Sequence, residues 1–386
     1  MAFDEEKILK SKLIILILSI CSMLVFSQEQ QPSTPDWVEK SVYPFESYYY
    51  EWNGNKMHYV EEVPVGEEKG TVIAVHGNAT YSIIYRKMIH QLKSMGFRVI
   101  AFDQLGFGLS DFPHPKDFDY KPSSHAKVLI DFIKDKNLTN IYFALQDWGG
   151  PIGIAAAQSM PERVAGFLFM NTWAWPLDET PEGEFNYYHI VRDRGYDAIN
   201  NPRFYIDGSL VKGGARGLAK RNAEQGTEKY NALQNMQMAP YVNLEDPSKL
   251  LYQGVTLPVW ISARSTVEDT PFLKELESNM DSITHLPIYL MFGDDTAFGP
   301  LKLYRGKNAP QCPAGCKPDS NEINSMTNCV DSEGNLIWPY LDKFKSLWKS
   351  ENIVGTWTDA NHGHWLQDEV PEIACEKLLE IWKRNN

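Results

Sequence analysis

The sequence has no run of basic residues, no internal repeat and no low-complexity segment. It contains 37 Lys and Arg residues against 50 Asp and Glu residues, so its formal net charge is −13. Nucleic acids and anionic membrane surfaces attract positive charge, and a chain of this composition is poorly suited to bind either of them. The hydrophobic content of 43% is that of a packed globular protein, and we expect a small-molecule substrate.

Long hydrophobic segments are also missing. An apolar run from Leu13 to Phe26 follows three lysines, and it is shorter than the ~20 residues that a membrane-spanning helix needs. This pattern is typical of a secretory signal peptide, with cleavage after Ser27. We therefore expect residues 1–27 to be removed and the protein to be periplasmic or extracellular, with no stable membrane insertion. If the segment is retained, it anchors the protein to a membrane.

Cysteine is scarce, with five residues in the chain. Three of them, Cys312, Cys316 and Cys329, fall in one short segment, and in an exported protein we expect Cys329 to pair with Cys312 or Cys316. Cys375 lies in a helical pattern and is expected to be a buried thiol. No histidine accompanies the three clustered cysteines, so a zinc site is not favoured and neither a metal nor a cofactor is expected.

Short β-rich runs recur along the chain. Residues 48–62 predict a hairpin that turns at Asn53 and Gly54. Later runs are almost continuously apolar, which is typical of strands buried on both faces of a parallel sheet. They lie at residues 71–77, 98–104, 140–146, 165–171, 287–293 and 352–360, with helical patterns at 82–95, 123–135 and 150–160 between them. The alternation predicts a mostly parallel, doubly wound α/β sheet.

This rhythm of strands breaks between about residues 176 and 281. The interval is richer in Asn, Tyr, Arg and Gly, and we interpret it as a helical cap (176–281) inserted into the sheet domain. The core would then comprise residues 28–175 and 282–386. Residues 302–338 interrupt the second part with a predicted surface loop that contains the three clustered cysteines.

The segment "NIYFALQDWGGPIGIAAAQS" places Asp147 between a predicted strand and a predicted helix. This is the layout of a nucleophile elbow, which presents one side chain on a tight turn beside the backbone N–H groups of a helix start. Gly149 and Gly150 supply the small residues that let the strand and the helix approach each other. The alternative is that Asp147 only caps the helix.

Two other strand ends carry residues of the same kind. Asp294 and Asp295 follow one predicted strand, and His362 and His364 follow the last one. In open α/β sheets, function gathers at the carboxyl ends of strands, and the order of Asp147, an acid and a histidine is that of the α/β-hydrolase triad. This order favours the catalytic interpretation of Asp147.

A carboxylate nucleophile favours attack on an alkyl carbon, because attack on an acyl carbon yields a reactive anhydride. The resulting alkyl ester must be hydrolysed by water and a base, a role that suits His364 with a carboxylate behind it. The side chains of Asn78 and Trp148 each carry an N–H donor that could face a departing anion, and two neutral donors suit a halide. Alternatively, Asn78 is only a turn residue and Trp148 only packs at the sheet edge.

Several joined segments resemble those of haloalkane dehalogenases of the α/β-hydrolase superfamily. They are "HGNATYSIIYRKMIHQL", "RVIAFDQLGFGLSD", "QDWGGPIG", "AFGP" and "HGHWLQDEVPE", and the resemblance covers roughly residues 45–175 and 285–384. It implies hydrolysis of a halogenated alkane by water to an alcohol and a halide. Gln146 before the aspartate is similar to the family's Gln-Asp-Trp variant.

The resemblance also implies a role for each matching residue. Asp147 would be the nucleophile, His364 the base, and Asn78 with Trp148 the halide-binding pair, whose backbone N–H groups would form the oxyanion hole. The partner of the base would be an aspartate at a strand end. Counting back from the "AF" of "AFGP" favours Asp295, with Asp294 as the alternative. His362 is interpreted as a neighbour of the base.

Two related activities remain open. An epoxide hydrolase also uses an aspartate nucleophile, and it needs cap tyrosines, of which the sequence offers Tyr187, Tyr188, Tyr196, Tyr205, Tyr230 and Tyr241. It usually has a proline where this chain has Ala79. A cofactor-independent luciferase-like oxygenase has a similar fold, but typically a glutamate as the partner acid and a histidine before the aspartate. A binding protein without activity would be expected to lack Asp147 or His364, and both are present.

Overall fold

A computed structural model describes residues 34–78, 80–114, 116–176, 211–243, 270–294, 302–304, 315–318 and 326–386. The chain from Asp36 to Asn386 forms one compact unit. The predicted signal peptide, Cys312 and Asp295 lie outside the described residues. Within the described ranges, no helix combines the length and the apolar character needed to cross a membrane.

The described residues contain eleven strands. They are β1 (Tyr48–Trp52), β2 (Asn55–Glu62), β3 (Thr71–Val75), β4 (Arg98–Phe102), β5 (Ile141–Asp147), β6 (Val164–Thr172), β7 (Ile288–Gly293), β8 (Lys302–Tyr304), β9 (Lys317–Pro318), β10 (Met326–Val330) and β11 (Ile353–Asp359). Eight of them form one sheet in the order β1-β2-β4-β3-β5-β6-β7-β11. The strands from β4 to β11 in this order run parallel, while β2 is antiparallel to both of its neighbours.

Helices connect the strands. They are α1 (Arg86–Ser94), α2 (Pro122–Asp135), α3 (Gly149–Ser159), α4 (Val211–Asn222), α5 (Glu228–Val242), α6 (Thr270–Ser278), α7 (Pro339–Leu347), α8 (Leu366–Glu369) and α9 (Pro371–Asn385). Helices α1, α8 and α9 pack together, and α2, α3 and α6 form a second group. Helices α4 and α5 pack against each other and lie inside the interval where a cap is predicted.

Burial explains the apolar composition of the central strands. All five residues of β3 are buried, and β5 is buried until its last residue, Asp147, which is partly exposed. Because helices cover a parallel sheet on its faces, such strands have no need of alternating polar residues. The hairpin of β1 and β2 turns where predicted, at Asn53 and Gly54, which have φ values of 49° and 78°. The predicted fold class is confirmed.

The segment at 302–338 differs from the predicted loop. Its described parts include β8, β9 and β10, which form a separate three-stranded antiparallel sheet. These strands have three, two and five residues and pair with residues distant in the sequence, so they show no local periodic pattern. Cys316 is a free thiol, so the predicted alternative of a bond between Cys329 and Cys316 is wrong. The alternative with Cys312 stays a prediction. Cys375 is free and buried, as expected.

Candidate active site

Asp147 occupies a sharp turn between β5 and α3. Its φ of 51° lies in the left-handed region, which costs a residue other than glycine strain and is tolerated where the surrounding structure holds it. Helix α3 begins at Gly149, its N-cap residue is Trp148, and no side chain caps it. The alternative that Asp147 serves as a helix cap is therefore wrong, and the geometry is that of a nucleophile elbow.

Glycines make this turn possible by close approach. A Cβ on Gly149 would lie 2.1 Å from the carbonyl oxygen of Val75, and one on Gly150 would lie 1.8 Å from Oγ1 of Thr172. A Cβ on Gly77 would lie 2.1 Å from Oδ1 of Asp147 itself. These distances are far below van der Waals contact, so only glycine leaves room for the carboxylate and for the packing of α3 on the sheet.

The two carboxylate oxygens of Asp147 have different surroundings. The backbone N–H of Asn78 donates a hydrogen bond to Oδ1 at 2.7 Å. Oδ2 lies 3.8 Å from Nε2 of His364, beyond the range of a hydrogen bond. The structure thus brings together Asn78, Asp147 and His364, which are separated widely in the sequence.

A buried histidine supports the Asn78 turn. Nδ1 of His76 lies 2.8 Å from the carbonyl oxygen of Gly77, and Nε2 accepts the backbone N–H of Gln104 at 3.0 Å. The side chain of Gln104 donates in return to the carbonyl of His76 at 2.6 Å. Burial lowers the pKa of His76 to about 4, so its ring is neutral near neutral pH and acts as a structural link.

Two side chains of the sheet hold the segment around His364. The side-chain nitrogen of Gln146 lies 2.8 Å from Nε2 of His364, and Oε1 of Gln146 is buried with no partner among the described residues. Nδ2 of Asn171 donates to the carbonyls of Gly363 and His364 at 2.8 and 3.2 Å. Asn171 also accepts the backbone N–H of Gly293, at the end of β7, at 2.9 Å.

Asn171 and Thr172 are functional candidates that the sequence analysis missed. Both end β6, and Asn171 has a φ of 40°. Thr172 donates its hydroxyl to the carbonyl oxygen of Asp147 at 2.6 Å and so fixes the elbow from the neighbouring strand. The available signal was a pair of polar residues at the carboxyl end of a buried strand, which is the pattern that marked the other positions.

The other predicted site residues are placed as follows. Trp148 is buried, and its ring packs edge-on against Trp173 at 4.8 Å between centroids. His362 faces Asp359, with Nδ1 at 3.2 Å from the carboxylate. The backbone N–H of Asp294 donates to the carbonyl of His362, next to the His364 segment. Asp295 lies outside the described residues.

The profile of a family described as "alpha/beta hydrolase fold" matches residues 70–211. Solved structures agree: a loop variant of a haloalkane dehalogenase from Bradyrhizobium elkanii superposes with a TM-score of 0.60 at 19% identity, covering 88% of this chain and 98% of the other. An ancestral haloalkane dehalogenase gives a TM-score of 0.57 at 21% identity, covering 86% and 99%. The chain has the α/β-hydrolase fold. At these identities the structural likeness shows the fold alone.

The amino-acid sequence is also similar to those of known proteins. Haloalkane dehalogenase 2 of Mycobacterium tuberculosis is 40% identical over 148 residues, which is 38% of this chain and 47% of that protein. A cis-3-alkyl-4-alkyloxetan-2-one decarboxylase of Shewanella oneidensis is 36% identical over 143 residues, 36% of this chain and 43% of that protein. The resemblance of this chain to haloalkane dehalogenases is confirmed. The chain spans less than half the length of these relatives.

Proposed function

We propose that this α/β-hydrolase converts a haloalkane and water into an alcohol, a halide ion and a proton. The observation that carries the proposal is the asymmetric environment of Asp147, with Oδ1 bound by the N–H of Asn78 and Oδ2 facing His364. An enzyme that first uses a carboxylate as nucleophile and then hydrolyses the resulting ester needs one oxygen held in place and the other oxygen near a base. The identity of 40% to a haloalkane dehalogenase over 148 residues supports the substrate class.

In the first step, Oδ2 of Asp147 attacks the carbon that bears the halogen. The new carbon–oxygen bond forms as the carbon–halogen bond breaks, and the halide leaves with the bonding electrons. The side-chain N–H groups of Asn78 and Trp148 are proposed to solvate the departing halide. The buried position of Trp148 supports this role, because a donor in a dry environment stabilises an anion more strongly than one in water.

In the second step, His364 takes a proton from a water molecule, and the resulting hydroxide attacks the carbonyl carbon of the Asp147 ester. The carbonyl oxygen becomes negative, and the proposed oxyanion hole stabilises it through the backbone N–H groups of Asn78 and Trp148. As this intermediate collapses, the bond between the carbonyl carbon and the alkyl-bearing oxygen breaks, and His364 returns its proton to the departing oxygen to give the alcohol. Loss of the remaining proton to solvent restores the carboxylate. Asp295, or alternatively Asp294, would hold the orientation and tautomer of His364.

Epoxide hydrolysis is the main competing activity, and Tyr241, one of the two described cap tyrosines, does not favour it. Tyr241 is fully buried, and burial together with the negative charge of Asp103 raises its pKa. A hydroxyl with a raised pKa is a weaker acid, so it is less suited to protonate the oxygen of an opening epoxide. Tyr241 is therefore a poor candidate for this role, and Tyr187, Tyr188, Tyr196 and Tyr205 lie outside the described residues.

Halide release tests the proposal. The purified protein is incubated with dibromoethane or iodohexane, and halide and alcohol are quantified against Asp147→Ala, which removes the nucleophile. We expect equal amounts of both products from the parent and none from the variant. In His364→Phe, the first step should proceed once per molecule and leave an alkyl ester on Asp147, seen as a mass increase. Turnover of styrene oxide or of a β-lactone without halide release would overturn the proposal.

We further propose that the protein is exported after removal of residues 1–27, with a disulfide between Cys312 and Cys329. The apolar run after three lysines supports export. The free thiol of Cys316 supports the choice of Cys312 as the partner. Mass spectrometry of the secreted protein, with and without reduction, would reveal the new N-terminus and the linked peptides. An intact N-terminus in the exported fraction would contradict the cleavage.

A further inference from the structure

Helix α4, which lies in the predicted cap interval, contacts the segment that directly follows His364. Arg221 near the end of α4 lies with Nε 3.5 Å from Oε1 of Glu369 and 3.7 Å from Oδ2 of Asp368. Its guanidinium also lies 4.9 Å from the centre of the Trp365 ring. We propose that Arg221 and Glu369 form a latch through which helix α4 sets the position of His364.

Glu369 connects the latch to the backbone next to His364. Its second carboxylate oxygen, Oε2, accepts the backbone N–H of Gly363 at 2.7 Å. The side-chain amide nitrogen of Asn171 donates to the carbonyls of Gly363 and His364 in the same turn. The turn is thus held by the sheet through its carbonyl groups and by the latch through an N–H group.

Arg221 contributes more to the charge balance of Glu369 than to that of Asp368. The fully buried Asp368 also pairs with Arg86 at 2.9 Å and Lys87 at 3.3 Å, and it accepts a hydrogen bond from Asn222 at 2.8 Å. For Glu369, whose side chain is 10% exposed, Arg221 is the one cationic partner among the described residues. Burying a carboxylate without a compensating positive charge is energetically costly. Without Arg221, the side chain of Glu369 would therefore turn towards solvent.

The rate of the second reaction step should therefore depend on the position of helix α4. Only ester hydrolysis uses His364 as a base in the proposed function, and this inference rests on that assignment. Glu369 and Arg221 touch no substrate, so they are positioning residues. A displacement of the base by about 1 Å can slow a reaction by about 100-fold, so a modest shift of the turn is enough to be measured.

Three variants test the latch against one control. Glu369→Ala removes both contacts, Glu369→Gln retains an acceptor for the N–H of Gly363 but loses the charge, and Arg221→Gln removes the cation. Arg216→Gln is the matched control, because it removes the same charge from an exposed position of the same helix. Hydrogen–deuterium exchange of the peptide that contains residues 361–365 reports on the turn whether or not the protein has activity.

We expect faster exchange at the Gly363 amide in Glu369→Ala and Arg221→Gln, with Arg216→Gln like the parent. In rapid-mixing experiments with dibromoethane, the initial burst of halide should keep its rate and amplitude. Ester hydrolysis should slow by about 10-fold or more in Glu369→Ala, and Glu369→Gln should recover part of this loss.

Unchanged exchange at Gly363 in Glu369→Ala would overturn the latch. An equal loss of both kinetic steps together with a lower melting temperature would also overturn it, because that is the result of a purely structural role. If the parent protein releases no halide, the proposed function fails, and the exchange experiment alone then decides whether the latch holds the turn.

Discussion

The side-chain nitrogen of Gln146 lies 2.8 Å from Nε2 of His364, the same ring nitrogen that faces the carboxylate of Asp147. Gln146 is fully buried and directly precedes Asp147 on β5, so the strand that presents the proposed nucleophile also contacts the proposed base. The amide therefore sets the direction of the imidazole ring.

We expect Gln146→Met to slow ester hydrolysis more than halide release. The substitution conserves the approximate volume but removes the hydrogen bond, so the ring of His364 loses an orienting contact. A loss of about 10-fold in the hydrolysis rate is reasonable for one positioning interaction. Rapid-quench measurement of the Asp147 ester would separate the two steps. A burst of halide as slow as the overall reaction would contradict this assignment of Gln146.

Gly77→Ala should prevent formation of the alkyl ester. Its Cβ would lie 2.1 Å from Oδ1 and 2.3 Å from Cβ of Asp147, so the carboxylate would have to leave the N–H of Asn78. We expect halide release to fall by about 100-fold or more, as for loss of a group that positions the reacting atoms. Circular dichroism would check that the variant is folded. A folded variant with a parental burst of halide would show that the close approach is not required.

The elbow could be predicted from sequence because its features are local. A buried strand, Asp147, and two glycines followed by a helical pattern are contiguous, and each strand end was marked by the residue that follows an apolar run. The contacts that hold His364 are different. Asn171 and Gly363 are 192 residues apart, and their contact depends on the pairing of β6 with β7 and on the path of the last loop.

The segment at 302–338 shows the same limit in the fold. Strand β9 has two residues and β8 has three, so neither gives a periodic pattern, and both exist only by pairing with β10. Likewise, the spacing of the cysteines did not show that Cys316 is a free thiol. Sequence patterns predicted well those elements whose shape is determined by residues that are adjacent in the sequence.

His125 should make the protein less stable in mild acid. Its ring is buried beside Phe118 at 5.0 Å, and burial lowers its pKa to about 3 from 6.5 in the unfolded chain. Between these values the unfolded state binds a proton that the folded state does not, so stability is full above about pH 6.5 and falls as the pH decreases towards about 3. Nε2 of His125 has no hydrogen-bond partner among the described residues. At this nitrogen, therefore, no hydrogen bond offsets the unfavourable burial of a protonated ring.

We therefore expect His125→Phe to flatten the pH dependence of unfolding. Urea titrations between about pH 4.5 and about pH 7.5 would measure the free energy of unfolding of the parent, this variant and His285→Gln, an exposed control. The control should follow the parent. His76, which is also buried with a lowered pKa, should leave part of the acid dependence in place. An acid dependence that is unchanged in His125→Phe would rule out His125 as a contributor.

The partner of His364 can be identified by two neighbouring substitutions. The backbone N–H of Asp294 is bound to the carbonyl of His362, which ties this residue to the loop before the base, and spacing from the "AF" sequence favours Asp295. An amide at the true partner position stabilises the wrong tautomer of the base, so ester hydrolysis should fall by about 1,000-fold or more. We expect this loss, with accumulation of the ester, in Asp295→Asn. Asp294→Asn should remain within about 10-fold of the parent, since it keeps its backbone contact. The reverse result would assign the role to Asp294, whereas mild effects in both would require a different acid behind His364.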